Sequence, residues 1–406
     1  MKKGNFNNKK GASAVFLMMI IATLMSITVA LIYGVKEHAI KSSADAIISL
    51  AGDSVMSEYD RTLQEEYGLF LIKGRDDELS QKLERYVRYS FSDMENAYLQ
   101  DVEVSAARFS IVDTTEVSKQ IIEYMKAKEV AGILKTKDDV DDDKEYEGIN
   151  RTLRHGPTIS SLPSAAVPNK NLTTLAESLA DKVTDMEKAF KSGTEEYLMN
   201  RYIVGHFNSR TNLVDRQHFF SNEVEYILGG ELSDAKNEKR IEMALKAMRF
   251  LVNMTYLSTN GEAQAKLAAA AQVMTPGPAA VATQAALTTT WAYAEADNDI
   301  ELLWQGHKVP MVKDKSTWAI DLDSAIEGVF GGTVYPDKEK GYGYNEYLQI
   351  LLFFQDSNIK TARILDLIQI NMRCEHDKDF LINEYSTGIW IKVKVNGRNH
   401  EYEKKY

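Results

Sequence analysis

Histidine, cysteine and carboxylate side chains are the groups with which this chain would do chemistry, and their spacing limits what that chemistry is. Seven histidines are present, His38, His155, His206, His218, His307, His376 and His400, and none forms an HExxH motif or a close ligand pair with a carboxylate at metal-site spacing. His206 and His218 stand twelve positions apart in a stretch that also holds Arg201, Arg210, Asp215 and Arg216. That concentration of titratable groups makes His206, Arg210 and His218 the candidates for lining a polar pocket, against the plainer reading of surface or core-edge histidines. The single cysteine, Cys374, has Arg373 beside it and His376 two residues on. Those cations would lower its thiol pKa if they met it in space, whereas a cysteine ending an apolar helix is ordinarily a small buried residue. The acidic run Asp139, Asp141, Asp143 and Glu145 suggests calcium, because hard cations take several oxygen ligands. Lys144 stands where an EF-hand loop needs glycine, and the run reads as a solvated linker. No GxSxG elbow or SxxK motif occurs, and Gly229-Gly230, Gly331-Gly332 and Gly341-Tyr342-Gly343 match neither a P-loop nor a dinucleotide fingerprint. The expectation is a non-enzymatic chain with no catalytic residue, no metal site and no cofactor.

The elements that carry these residues follow from patterning. Among 406 residues, 44% hydrophobic and 26% charged, there is material for two to three folded units, and one cysteine rules out an intramolecular disulfide framework. From Ala12 to Gly34 the chain runs 23 residues without a charge. As a helix that stretch reaches ~35 Å, against a hydrocarbon core of ~30 Å. A cleaved secretory signal would have an apolar region of roughly 7–15 residues followed by a small-residue site, which only Ala44 and Ala46 offer here, so a retained single span is expected. Lys2, Lys3, Lys9 and Lys10 precede the span and no acidic residue occurs before Glu37, which places the N-terminus in the cytoplasm and the remainder outside the cell membrane. Without those four lysines, 44 basic residues face 59 acidic ones, a formal charge of −15. Such a balance disfavours nucleic acid or anionic lipid as the main partner.

Beyond the span, Ile40, Ala44, Ile47, Ala51, Met56, Tyr59 and Leu63 recur near helical spacing, and one long helix is expected to continue towards Phe70. Helix over Asp76 to Leu99, strand over Val102 to Val112 and helix over Thr115 to Leu134 come next. Seven acidic residues between Asp138 and Glu147, then Pro157, Pro163 and Pro168, read as a linker. Apolar faces predict helices over Leu172–Phe190, Thr194–Phe207, Ser233–Leu257, Glu262–Val273, Ala279–Leu303, Tyr344–Gln355 and Ile359–Met372. The uncharged stretch broken by Pro276-Gly277-Pro278 is expected to be a closely packed helical hairpin. Alternation predicts a strand over Asn222 to Leu228, and Asn396-Gly397 a type I′ hairpin with His400, Tyr402 and Lys404 on one face. The expected fold is α+β, predominantly helical, with a long N-terminal transmembrane helix continuing into the ectodomain and a small antiparallel sheet. Its divisions are a basic cytoplasmic leader (1–11), the span (12–34), a helical stalk with a first α+β unit (35–135), an acidic, proline-containing linker (136–171) and a mainly helical ectodomain ending in the hairpin (172–406).

The start KKGASAVF and the run SADAIISLAGDSVMSEYDRTLQEEYGLF resemble the TadE and TadG pseudopilin-like proteins of tight-adherence pilus systems. RYIVGHFNSRTN, NEVEYILGG, TPGPAAVATQAAL and ARILDLIQINMR resemble an uncharacterised ectodomain of large pseudopilin-like envelope proteins from the same systems. The resemblance implies a structural or assembly role in a Tad-type pilus or secretion system, with the bilayer, pilin-like or Tad-system proteins and a prepilin peptidase as partners, and no nucleic acid. It places peptidase processing at the Gly11 to Ala12 bond. Five residues into the mature helix, typical substrates carry glutamate and this chain carries Phe16, so an uncleaved, membrane-retained protein is expected. The alternative is a membrane-anchored extracellular enzyme, or a ligand-sensing or adhesive module, with a pocket around His206, Arg210 and His218. The span itself is directly testable. Ile21→Asp puts a carboxylate at its centre at a cost of roughly 2.5–3.5 kcal/mol, and is expected to move the protein out of the membrane fraction; unchanged fractionation refutes the span.

Overall fold

The computed structural model of the chain describes residues 7–92, 94, 97–130, 161–167, 194–215, 218–328 and 340–406. Helix α1 (Asn7–Met56) and α2 (Arg61–Tyr67) lead into β1 (Ile72–Lys73), α3 (Asp76–Phe91), β2 (Leu99–Ser105) and α4 (Thr114–Val130). Helices α5 (Glu195–His206), α6 (Glu223–Gly229), α7 (Asp234–Thr259), α8 (Gly261–Met274) and α9 (Ala280–Trp304) follow. Then come α10 (Leu322–Glu327), α11 (Tyr344–Phe354), α12 (Ser357–Glu375), β3 (Tyr385–Ser386), β4 (Gly388–Val395) and β5 (Arg398–Lys405). The fold is α+β and predominantly helical, as the patterning predicts.

Two compact units divide the chain. The first comprises 1–61, 70–110 and 384–406, the second 62–69 and 111–383. In the first unit, β2, β4 and β5 form an antiparallel sheet in that order, with Val393 opposite Val102 on one side and His400 on the other. Ile389, Ile391, Val393 and Val395 are buried at every second position of β4, as one sheet face against a core requires. That core is supplied by Ala44, Ile48, Ala51 and Val55 of α1 and by Leu79, Leu83, Val87 and Phe91 of α3, two stripes at helical spacing. The large apolar side chains of α1 from Val15 to Val35 are exposed, and its 44 residues from Ser13 form a helix long and apolar enough to cross a membrane.

Polar contacts fasten β5 along α1. Asp45 accepts from Tyr402 Oη at 2.5 Å and meets His400 Nδ1 at 2.5 Å, while Lys404 reaches Ser49 Oγ at 2.9 Å and Asp53 at 2.7 Å. His400, Tyr402 and Lys404 thus share a face, and the turn has positive φ at Asn396 (50°) and Gly397 (78°), the I′ geometry. The hairpin therefore belongs with residues from the start of the chain, and not with residues 172–383 as the sequence order suggests. Cross-strand pairing and burial of β4 outweigh proximity in sequence.

Other boundaries shift for identifiable reasons. Helix α1 ends at Met56 instead of continuing to Phe70, because the chain turns there and Asp60 N donates to Leu71 O at 2.9 Å. The strand expected over Val102 to Val112 runs from Leu99 to Ser105. The Asp76 carboxylate accepts from Ser105 Oγ at 3.0 Å and Ala106 N at 2.8 Å, and a 3-10 turn follows at Ala107–Phe109. Helix α3 stops at Phe91, short of Leu99, which pairs instead with Val395 of β4. Asn222 to Leu228 is not a strand: α6 occupies it, with all seven helical residues buried. Alternation between Val224, Tyr226, Leu228 and two glutamates looked like two-sidedness, but both glutamates point into protein. Gly230, at φ 71°, ends α6 in the left-handed conformation.

In the second unit α12 is central, every residue from Ile359 to Cys374 being buried. The 3-10 turn Pro163–Ala166, expected in the solvated linker, docks on α12 through Ser164 N to Asp366 Oδ1 at 2.9 Å. Helices α8 and α9 form the expected hairpin, packing Ala263, Leu267, Ala271, Leu287 and Trp291 with Ile320 and Leu322. Val273, Met274 and Val281 at its Pro-Gly-Pro tip stay exposed. The expected helix over Leu172–Phe190, the acidic run from Asp139 to Glu145, His155 and Gly331-Gly332 lie outside the described residues.

Where α1 crosses the sheet, a Cβ added at Gly52 would lie 2.6 Å from Ile391 Cδ1 and 3.3 Å from Lys404 Cγ. Gly52→Leu is expected to overpack this contact by about 1–3 kcal/mol and to speed amide hydrogen exchange across β4 and β5. Unchanged exchange in residues 388–405 would rule out the close approach.

Candidate functional site

The polar candidates in the second unit gather on the loop between α5 and α6. Asn208, fully buried, acts as the loop's internal template. Its Oδ1 accepts from Val214 N at 2.8 Å and Asp215 N at 2.9 Å, while its Nδ2 donates to Asp215 O at 2.7 Å and Phe220 O at 3.3 Å. Asp234, at the start of α7, accepts from Ser221 N at 3.0 Å and Asn222 N at 3.2 Å, tying the end of the loop to that helix.

Two α6 carboxylates then hold this loop from within. Glu223 accepts from Asn208 N at 2.9 Å, lies 2.7 Å from His218 Nδ1, and accepts from Asn371 Nδ2 of α12 at 2.7 Å. Glu225 Oε1 accepts from Arg210 N at 3.0 Å and Tyr344 Oη at 2.9 Å, whereas its buried Oε2 has no hydrogen-bond partner among the described residues. On the far side of α6, Tyr226 Oη donates to Asp366 at 2.8 Å, and Arg363 donates to Ile227 O and Leu228 O at 2.6 and 2.8 Å. The loop around residue 208 and distant stretches around 344 and 366–371 thus meet at one helix of seven residues.

The electrostatics follow from burial. Loss of solvent pushes the Glu225 carboxyl up to about 7, with the Arg210 amide and Tyr344 hydroxyl opposing it only in part. Burial also disfavours protonation of His218, but the Glu223 carboxylate outweighs it and the imidazole is held above its usual range. Chemically, the arrangement offers one carboxyl that titrates near neutrality and one histidine–glutamate pair, His218 with Glu223, both enclosed by protein.

The predicted pocket residues do not converge. His206 stacks on Tyr202 with ring centroids 4.3 Å apart, and its Nε2 lies 3.4 Å from Tyr124 Oη and 3.3 Å from Lys128 Nζ. Burial, then the Lys128 charge, push it down to about 4. The Arg210 side chain pairs with Glu238 and covers the Trp304 ring at 4.3 Å. His218 belongs to Glu223. Each is absorbed by a different local contact. Cys374 is buried and its thiol is pushed up to about 11, first by burial and then by Glu375; Arg373 turns away to donate to Phe380 O at 2.7 Å. Gly11 and Ala12 lie within the helical backbone of α1, so processing between them would require its first turns to unwind.

Sequence spacing gave no notice of several polar groups. Arg249, Asp299, Lys313 and Glu295 form a fully buried ion network, in which Glu295 also accepts from Ala319 N and Ile320 N at 2.9 and 2.7 Å. Burial alone would raise Asp299, but Lys313 and Arg249 hold its carboxyl below the usual range. Glu66, Glu375 and His376 bring three possible ligand atoms within 4.8 Å of one another, and His376 Nε2 already pairs with Glu66 at 2.8 Å. Among the described residues this is the group with the geometry to hold a cation. Glu66 stands 310 residues from His376, beyond any motif.

Because Glu225 ionises near 4.5 when unfolded and near 7 when folded, the folded state binds the extra proton and stability falls as pH rises through that window. His206 acts in the opposite sense between about 4 and 6.5, its depressed value costing stability as pH falls. Glu225→Gln, which keeps the shape and removes the titration, is therefore expected to gain about 1–3 kcal/mol relative to the parent on going from pH 5 to pH 8. Thermal unfolding across that range checks it, and a gap that stays constant with pH refutes the buried carboxyl.

No curated protein and no solved structure matches the chain. Residues 136–397 match the family model of DUF5702, a family of unknown function. The matched residues take in the Asn208, α6 and α12 stretches and the whole of β4. With well over half of its length inside that match, the chain belongs to the DUF5702 family.

Proposed function

We propose that this protein is a single-pass, membrane-anchored structural or assembly component of pseudopilin type, serving a Tad-type pilus or secretion system with its folded units outside the cell membrane. The observation that carries the reading is the continuity of α1. One helix of 50 residues holds the whole uncharged segment at its start and contributes Ala44, Ile48, Ala51 and Val55 to a folded core near its end. Lateral forces on the apolar half therefore reach a folded unit through unbroken helix, the mechanical property that a subunit packing among pilin-like helices needs. The lysines before the apolar segment favour a cytoplasmic N-terminus. The resemblance of KKGASAVF and the following helix to TadE and TadG proteins supplies the system.

The rival reading is an anchored enzyme or sensor built on His206, Arg210 and His218; the separate internal contacts of the three favour the structural reading over it. An adhesive role for the ectodomain shares the anchor and differs only in partner. The deciding measurement is the intact mass of the membrane-extracted protein, expressed beside its own pilus genes, together with its co-purifying partners. Recovery of pilin-like subunits is the expected result, with the N-terminus intact because Phe16 replaces the usual glutamate. Loss of residues 1–11 would establish processing at Gly11, and absence of any pilus partner would overturn the assignment to that system.

A further inference from the structure

The path of β5 along α1 has a direction. Arg398 pairs with Glu37 at 3.0 Å, His400 with Asp45, Lys404 with Asp53, and Tyr406 Oη donates to Met56 O. Strand and helix therefore run parallel, and the β4–β5 turn points towards the end of the apolar segment. Asp45 stands eleven residues beyond Gly34, ~16 Å along a helix, while the turn stands three to four residues back from His400, ~10–13 Å along a strand. The turn thus lies ~3–6 Å from the level at which the uncharged run ends. The headgroup layer on each side of a bilayer is itself roughly 5–8 Å thick.

The residues at that level suit a headgroup layer. Tyr98 is 70% exposed and is tied to the turn, its N–H donating to Asn396 Oδ1 at 2.9 Å and its carbonyl accepting from Asn396 N at 3.1 Å. Tyrosine concentrates at membrane interfaces because its ring is apolar and its hydroxyl is wet. Lys36 and Lys41 on α1 and Lys394 and Arg398 on the hairpin are all exposed, with Glu37, Asp45 and Asp101 as the acidic neighbours among the described residues. Among the described residues, four basic against three acidic groups is a local excess of positive charge in a chain whose residues beyond the leader carry −15.

We propose that the Asn396–Gly397 turn, Tyr98 and Lys394 form a docking edge that seats the first unit on anionic phospholipid headgroups of the bilayer crossed by α1. The inference rests on the anchor reading above. The strongly acidic remainder of the chain is repelled by the same surface, so the basic edge also sets which side of the unit faces the membrane.

The test uses the full chain in a Cys374→Ser background, with a nitroxide at Asn399→Cys or Glu403→Cys. Both positions point away from α1 on β5, and 403 lies ~14 Å farther from the turn. In vesicles of phosphatidylcholine with about 30% phosphatidylglycerol, collision with a water-soluble nickel reagent at 399 is expected to be at least about threefold below that at 403. Lys394→Glu and Lys394→Gln are each expected to bring the two sites together. Equal collision rates in chains that float with the vesicles would overturn the docking edge and leave the anchor standing. Chains that fail to float would overturn the anchor and the edge together. Shielding at 399 that persists in pure phosphatidylcholine and in both Lys394 variants would overturn headgroup recognition and assign the edge to a second copy of the chain.

Discussion

A carboxylate withdrawn from water must be met by donors, and in the second unit that requirement organises everything around α6. Glu223 and Glu225 are both fully buried on a helix of seven residues, too short to be stable on propensity alone. Their donors come from a loop amide at Asn208, the His218 ring, the Arg210 amide, Tyr344 and Asn371. Removing a carboxylate would orphan these donors, and removing a donor would strand a charge, so loop, helix and α12 stand or fall together. The fully buried ions around Asp299 obey the same rule with opposite charges in place of amides.

The first unit rests on a different constraint, closure over distance. Its sheet joins β2 to β4 and its core joins α1 to both, although residues 45 and 400 are 355 positions apart. Until residues 385–405 arrive, Ala44, Ile48, Ala51 and Val55 have no sheet to cover them. Contacts so distant in sequence close slowly, because loop entropy is lost before packing compensates it. A helix that begins as an exposed apolar segment and ends inside such a core joins two environments by its own backbone alone.

Several histidines and the cysteine illustrate how little a titratable side chain says by itself. Burial and a nearby lysine push the His206 pKa down, a glutamate holds His218 above its usual range, and burial keeps the Cys374 thiol protonated. All three lie in the same unit. Their differing behaviour comes from neighbours contributed by other helices.

Local order along the chain was enough to determine the apolar segment, the helical faces of α5, α7, α8, α9, α11 and α12, the α+β class and the I′ turn at Asn396-Gly397. Each depends on residues a few positions apart, where periodicity and backbone preference act directly. Tertiary structure alone decided that Glu223 to Gly229 is a helix, because the burial of its two glutamates is invisible to a pattern that scores carboxylate as solvent-facing. It alone joined the hairpin to α1, since strand pairing and core burial are indifferent to sequence separation. It alone separated His206, Arg210 and His218 and brought Glu66 to His376, because side-chain convergence depends on how helices pack and not on the number of residues between them.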